Sequence, residues 1–222
     1  MKKIGILFIL ILICLKTNAQ SAAEDKLGAW YMYNGSHKLT EKYSLQTMAH
    51  FRYYEVTSNF QQEIYRLGVN YKFNPKMNLT LGASYATGDL AYNVSSPHLY
   101  EWRLYEDFNI NSKWREFKVR HRLRLEHRFI HKNIDTDETQ NWFRYDLNVN
   151  YPITDSWSVY VFNEIFLNLD RSEVFAQNWI GAGFLRKINK NLKIKFGYFQ
   201  IKQNSQTLKR VRIGLLLNTD FF

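Results

Sequence analysis

The chain has 222 residues, a formal net charge of +10, 17% aromatic residues and a single cysteine. Its mean hydropathy is −0.42, and after Leu15 no apolar run approaches the ~20 residues of a spanning helix, so a helical membrane protein is excluded. A barrel is not excluded, because half of each of its strands can face a polar interior.

The N-terminus pairs Lys2-Lys3 with the apolar run from Ile4 to Leu15, followed by Lys16-Thr17-Asn18-Ala19-Gln20. This order of basic, apolar and small residues predicts a secretory signal over 1–19, cleaved after Ala19, and a single domain over 20–222. Lipid anchoring at Cys14 is rejected, since an acceptor cysteine follows a small residue and Ile13 is bulky. Loss of Lys2, Lys3 and Lys16 lowers the charge from +10 to +7. It also removes the one thiol, so the mature chain offers no disulfide and no thiolate for a metal.

Beyond Gln20 the dominant pattern is alternation with period two, which predicts strands at 27–34, 42–55, 61–73, 77–86, 98–110, 114–130, 139–151, 156–168, 175–187, 191–201 and 208–221. In the second, Tyr43, Leu45, Thr47, Ala49, Phe51 and Tyr53 share one face, with Ser44, Gln46, Met48, His50 and Arg52 on the other. Short turns are expected at Asn74-Pro75-Lys76, Asn111-Ser112-Lys113, Pro152-Ile153-Thr154-Asp155 and Asn189-Lys190-Asn191, alternating with longer polar connections. That is the periplasmic-turn and extracellular-loop rhythm of outer-membrane barrels. The strand count is odd, whereas bacterial single-chain barrels close with an even number. If 35–41 is another turn, the first strand runs parallel to the last. Three solutions stand open: a miscount, ten strands with the first lying elsewhere, or twelve.

The last strand sets Val211, Ile213, Leu215, Leu217, Thr219 and Phe221 on one face. Phe221, rather than Phe222, then heads the signal offered to the barrel-assembly machinery.

The segments Leu27-Gly28-Ala29-Trp30-Tyr31, Leu39-Thr40-Glu41-Lys42-Tyr43-Ser44-Leu45 and Leu67-Gly68-Val69-Asn70-Tyr71-Lys72-Phe73-Asn74 resemble the DUF2490 group of Bacteroidetes outer-membrane barrel proteins. The Asn18-Ala19-Gln20 ending is also typical of that phylum. The resemblance covers most of the mature chain and implies fold and location. It implies no catalytic residue.

The most distinctive internal feature is Glu116, Lys118, Arg120, Arg122, Arg124, Glu126 and Arg128 on one face of a single strand. Arginine on the lipid face near the midplane costs ~2–4 kcal/mol, so this face is expected to line the lumen. Arg210 and Arg212 of the last strand share that parity. The candidate ligand-binding set is therefore Lys118, Arg120, Arg122, Arg124, Arg128, Arg210 and Arg212, with an anionic small ligand as the partner such charge would draw. The alternative is a plug of paired charges, for which Glu63, Glu101, Asp107, Asp146 and Glu164 are expected to supply inward acids. His121 and Glu106 fall on the lipid-facing parity and favour a soluble sheet.

Catalytic patterns are weak. No histidine has a spacing to serine or aspartate that suggests a triad, and His127 and His131 lie ~13 Å apart on a strand, too far to share a metal. No phosphate loop or zinc pattern is present. The reading reached is an all-β, antiparallel transmembrane barrel of about ten to twelve strands in the cell outer membrane, in contact with its lipid. No catalytic residue, cofactor or nucleic-acid partner is expected, and the role is structural, binding or anion-transporting. Alternatives are a lipid- or lipopolysaccharide-modifying enzyme of that membrane and a soluble periplasmic β-sandwich.

Overall fold

The computed structural model describes residues 23–89, 91–92, 99–132, 136–203 and 206–221. The expected signal and Phe222 lie outside the described residues. Eleven strands follow a short 3₁₀ turn at Ala23–Asp25: β1 (Leu27–Lys38), β2 (Tyr43–Tyr53), β3 (Phe60–Asn74), β4 (Met77–Gly88), β5 (Leu99–Trp114), β6 (Phe117–Lys132), β7 (Thr136–Pro152), β8 (Trp157–Asn168), β9 (Phe175–Lys187), β10 (Leu192–Gln203) and β11 (Gln206–Asp220). They form one closed barrel in which each strand pairs with its chain neighbours, and β1 pairs with β11.

That last pairing is parallel, from Leu27 opposite Lys209 to Lys38 opposite Asp220, while every other pair is antiparallel. The even-number rule is therefore broken. An odd meander reverses direction an even number of times, so its first and last strands point the same way and can close only in parallel. Closure leaves no sheet edge with unpaired backbone groups.

The tight turns share one local device. Thr40, Asn74, Thr154 and Asn189 each accept, on the side-chain oxygen, the backbone N–H groups two and three residues on. This Asx or ST geometry imitates a backbone turn and explains why those residue types stand there. The expected turn at Asn111-Ser112-Lys113 is not formed. Strand β5 continues to Trp114, and the chain reverses at Arg115, whose φ of 52° is left-handed. The Trp114 and Phe117 rings stack at 5.7 Å across this tighter hairpin, a contact that turn composition does not reveal.

The barrel is inverted in polarity. Leu67, Leu81, Val161 and Ile180 on the outer wall are each more than half exposed, whereas Glu101, Arg124 and Glu126 inside are at most 3% exposed. His121 and Glu106 do lie on the outer wall, but His121 bonds the Tyr145 hydroxyl at 2.7 Å and Glu106 lies 3.7 Å from His127. Glu63 also faces outward, contrary to its expected lumenal place. It shares parity with Tyr65, whose hydroxyl donates to it at 3.2 Å.

Cysteine pairs test the parallel seam. Oxidation should cross-link both A29C with V211C and Y33C with L215C, because both pairs are opposed in the same register. An antiparallel seam would permit only one of them, read as a mobility shift on a non-reducing gel.

Candidate functional site

The interior is a cavity of about 770 Å³ whose lining includes ten cationic and four acidic side chains among the described residues. These divide by strand into two unlike halves.

On β5 to β8 the cations are held by acids. Glu126, 1% exposed, accepts from Arg124 at 3.1 Å, from Arg144 at 3.0 Å and from Arg66 at 3.2 Å. The last contact crosses the lumen from β3 to β6. Arg124 is also forked onto both oxygens of Asp107. Glu164 takes Arg122 at 2.6 Å and Arg144 at 2.8 Å, and Asp146 takes Arg120 at 2.5 Å. Nearer the loops, Glu101 takes Arg128 at 2.5 Å and Arg103 at 2.7 Å. Sharing Glu126, Glu164 and Glu101 among two or three guanidinium groups each, and pairing Asp107 and Asp146 with one, is the condition under which buried charge is tolerable.

On β1, β2, β10 and β11 the cations meet rings. Trp30 of β1 stands opposite Arg52 of β2 and Arg212 of β11. Arg52 lies 3.7 Å over the Trp30 ring and donates to Gln62 at 2.9 Å. Arg212 lies 4.0 Å over Phe162, and its Nε donates to the Tyr160 hydroxyl at 2.9 Å. Tyr160 reaches this point because Gly183 and Gly197 leave the wall bare: a Cβ on either would come within 2.6 Å of its hydroxyl. Lys195 Nζ lies 4.3 Å over the same ring. The Trp30, Phe199 and Trp179 rings pack edge to face at 4.8 and 5.0 Å, making the wall rigid.

The sequence-predicted set is thus distributed rather than gathered. Arg120, Arg122, Arg124 and Arg128 belong to the acid-held half, and Lys118 is exposed at the turn end. Arg210 is fully buried and donates to the Lys209 carbonyl at 2.9 Å. Arg212 joins the ring-held half, as does Arg210, whose guanidinium lies 5.7 Å from the Tyr54 ring. Arg52 was missed as a candidate although its parity with Ser44 and His50 marked it as inward. The inward rings Trp30, Phe162 and Trp179 were missed because aromatics were expected at the ends of the outer wall.

Outside the lumen, His127 Nδ1 meets Asn141 Oδ1 at 2.6 Å, and Asp170 accepts the Asn141 side-chain amide at 3.1 Å. At the loop end, the Glu55 carboxylate accepts from Ser58 at 2.6 Å and from Tyr92 at 2.7 Å, and pairs with Lys26 at 3.1 Å. These bonds, that of Ser58 foremost, hold its pKa down at about 2 against the ordinary 4.5.

A family model described as a protein of unknown function, DUF2490, matches residues 27–212. No curated protein and no solved structure matches the chain.

The substitution E126Q strips the charge shared by three buried arginines and should destabilise the barrel by ~3–5 kcal/mol. R120Q should cost about 1 kcal/mol or less, because the Arg120 side chain is 44% exposed. Urea unfolding of the folded barrel measures both. Because its folded pKa is depressed, Glu55 ties the loop down above about pH 4.5 and loses that hold as pH falls towards 2. Cleavage between β2 and β3 by an acid protease should therefore rise across that window, whereas E55Q should be cut readily throughout.

Proposed function

For a chain that belongs to the DUF2490 family of unknown function, we propose a β-barrel integral to the outer membrane, without enzymatic activity, whose basic lumen binds or passes small anions. One observation carries the reading: a closed barrel that buries ion pairs inside and exposes apolar side chains outside. In water this arrangement would leave a large apolar surface uncovered. In a bilayer it satisfies both faces, since the backbone is paired all round and the charges are kept from lipid.

Aromatic side chains mark both rims of the apolar wall. Tyr43, Tyr71, Phe73 and Phe108 pack in series near the turns. Phe51 with Tyr65, and Tyr85 with Trp102, do so near the loops. Along β2 the two bands are eight residues apart, ~26 Å of strand and ~20 Å of height once tilted, close to the ~25 Å apolar band of outer-membrane barrels. The secretory pattern at 1–19 supports export, the Asn18-Ala19-Gln20 ending supports a Bacteroidetes source, and Phe221 at the end of the apolar series supports handling by the assembly machinery.

The excess of cations along the lumen supports anion preference, since low-dielectric walls focus their field. The Arg66–Glu126 bridge across the interior argues for a narrow or gated passage rather than a wide pore.

Fractionation should recover the protein with outer membranes and show a heat-modifiable gel shift. Recovery in the soluble fraction would overturn the membrane reading. In planar bilayers with a tenfold KCl gradient, any current should reverse on the chloride side, and R52Q/R212Q should move the reversal potential towards zero. A potassium-side reversal would sink the anion assignment.

A further inference from the structure

We infer that Arg52 and Arg212, on either side of Trp30, form a binding site for a small organic oxyanion, a carboxylate or phosphate whose apolar part rests on the aromatic wall of the lumen. This deepens the anion reading above and depends on it.

The first ground is the contrast in partners. Seven lumenal arginines, on β3 and β5 to β7, each touch a carboxylate. The partners found for Arg52 and Arg212 are neutral: Gln62 and the Trp30 ring for the one, Tyr160 and the Phe162 ring for the other. An aromatic face steadies a guanidinium group and fixes its plane without cancelling its charge.

The second ground is unspent donors. Arg52 Nε and Arg212 Nη2 are buried and have no hydrogen-bond partner; Arg66, Arg103 and Arg122 also leave Nε unpartnered, but those three spend other nitrogens on carboxylates, and Arg212 as a whole is only 9% exposed. Buried donors of a charged group are normally satisfied, and those that are not call for a physical reason. A planar oxyanion would supply one, since its paired oxygens match a guanidinium fork.

The third ground is placement. Arg52, Trp30 and Arg212 lie on one rung of three adjacent strands, so both cations project inward on either side of one ring. They border the 770 Å³ cavity together with Trp30, Phe162 and Trp179. Cavities of ~300–1,000 Å³ lined by rings with a few fixed polar groups are the usual form of a small-molecule site. A bare inorganic ion would leave the rings unused, whereas an anion with an apolar body uses both features.

The test is calorimetric titration of the full barrel in nanodiscs with 2-naphthoate, 2-naphthylmethanol and inorganic phosphate. Naphthoate should bind at least tenfold more tightly than either of the others, and R52Q and R212Q should each weaken it at least tenfold. The comparison of probes on the native chain stands even where a variant fails its heat-modifiability check for folding. Phosphate binding as tightly as naphthoate would overturn the organic-anion site and leave the anion-binding lumen standing. The neutral alcohol binding equally well would overturn the role of the arginines. No binding by any probe would overturn the site alone if bilayer currents remain anion-selective, and the lumen reading with it if they do not.

Discussion

A sheet that closes on itself must pair its first strand with its last, and in this chain eleven strands leave those two running the same way. The parallel pairing of β1 with β11 is therefore the contact on which the barrel depends. Without it, two strands would expose their backbone groups along their whole length, a condition that neither lipid nor a stable edge in water allows. It also decides what becomes adjacent. By laying Trp30 beside Arg212, and β2 beyond it, the seam brings Arg52 and Arg212 to one rung although they stand at opposite ends of the sequence.

The same closure divides the interior by charge. Among the described residues the deeply buried inward acids Glu101, Asp107, Glu126, Asp146 and Glu164 stand on β5 to β8, and the arginines of those strands find them at once. Strands β1, β2, β10 and β11 bring cations and rings instead. Glycines complete this side: Gly181, Gly183 and Gly197 clear the wall beneath Phe162, Phe199 and Tyr160, so large side chains lie flat against backbone rather than fill the centre. One half of the lumen thus holds each arginine against a carboxylate, and the other keeps positive charge directed towards the cavity without one.

Much of the architecture was legible in the sequence because period-two alternation and turn chemistry are local. Parity placed the basic face of β6 inward correctly, and the Asn or Thr at the short turns acts as its type suggests. The Asn111-Ser112-Lys113 segment misled because its composition fits a turn, while the Trp114–Phe117 stack that carries the reversal further along is a contact between strands. The partnering of the arginines was not legible for a stronger reason. Arg66 reaches Glu126 across the barrel, between strands that are not neighbours, and no spacing along the chain encodes that distance. Glu63 shows the opposite failure, for its parity with Tyr65 already pointed it outward.

The odd strand number has a consequence for how this barrel could be rebuilt. In an even meander the two ends meet at the same rim, and a short linker can join them while the chain is reopened at another turn. Here β1 begins at the loop rim, beside Lys209, and β11 ends at the turn rim, beside Lys38. Any linker between them would have to run the height of the wall, ~30 Å, along its outer face or through the lumen. Circular permutation through a short linker, which even barrels can accommodate, is closed to this one by parity alone.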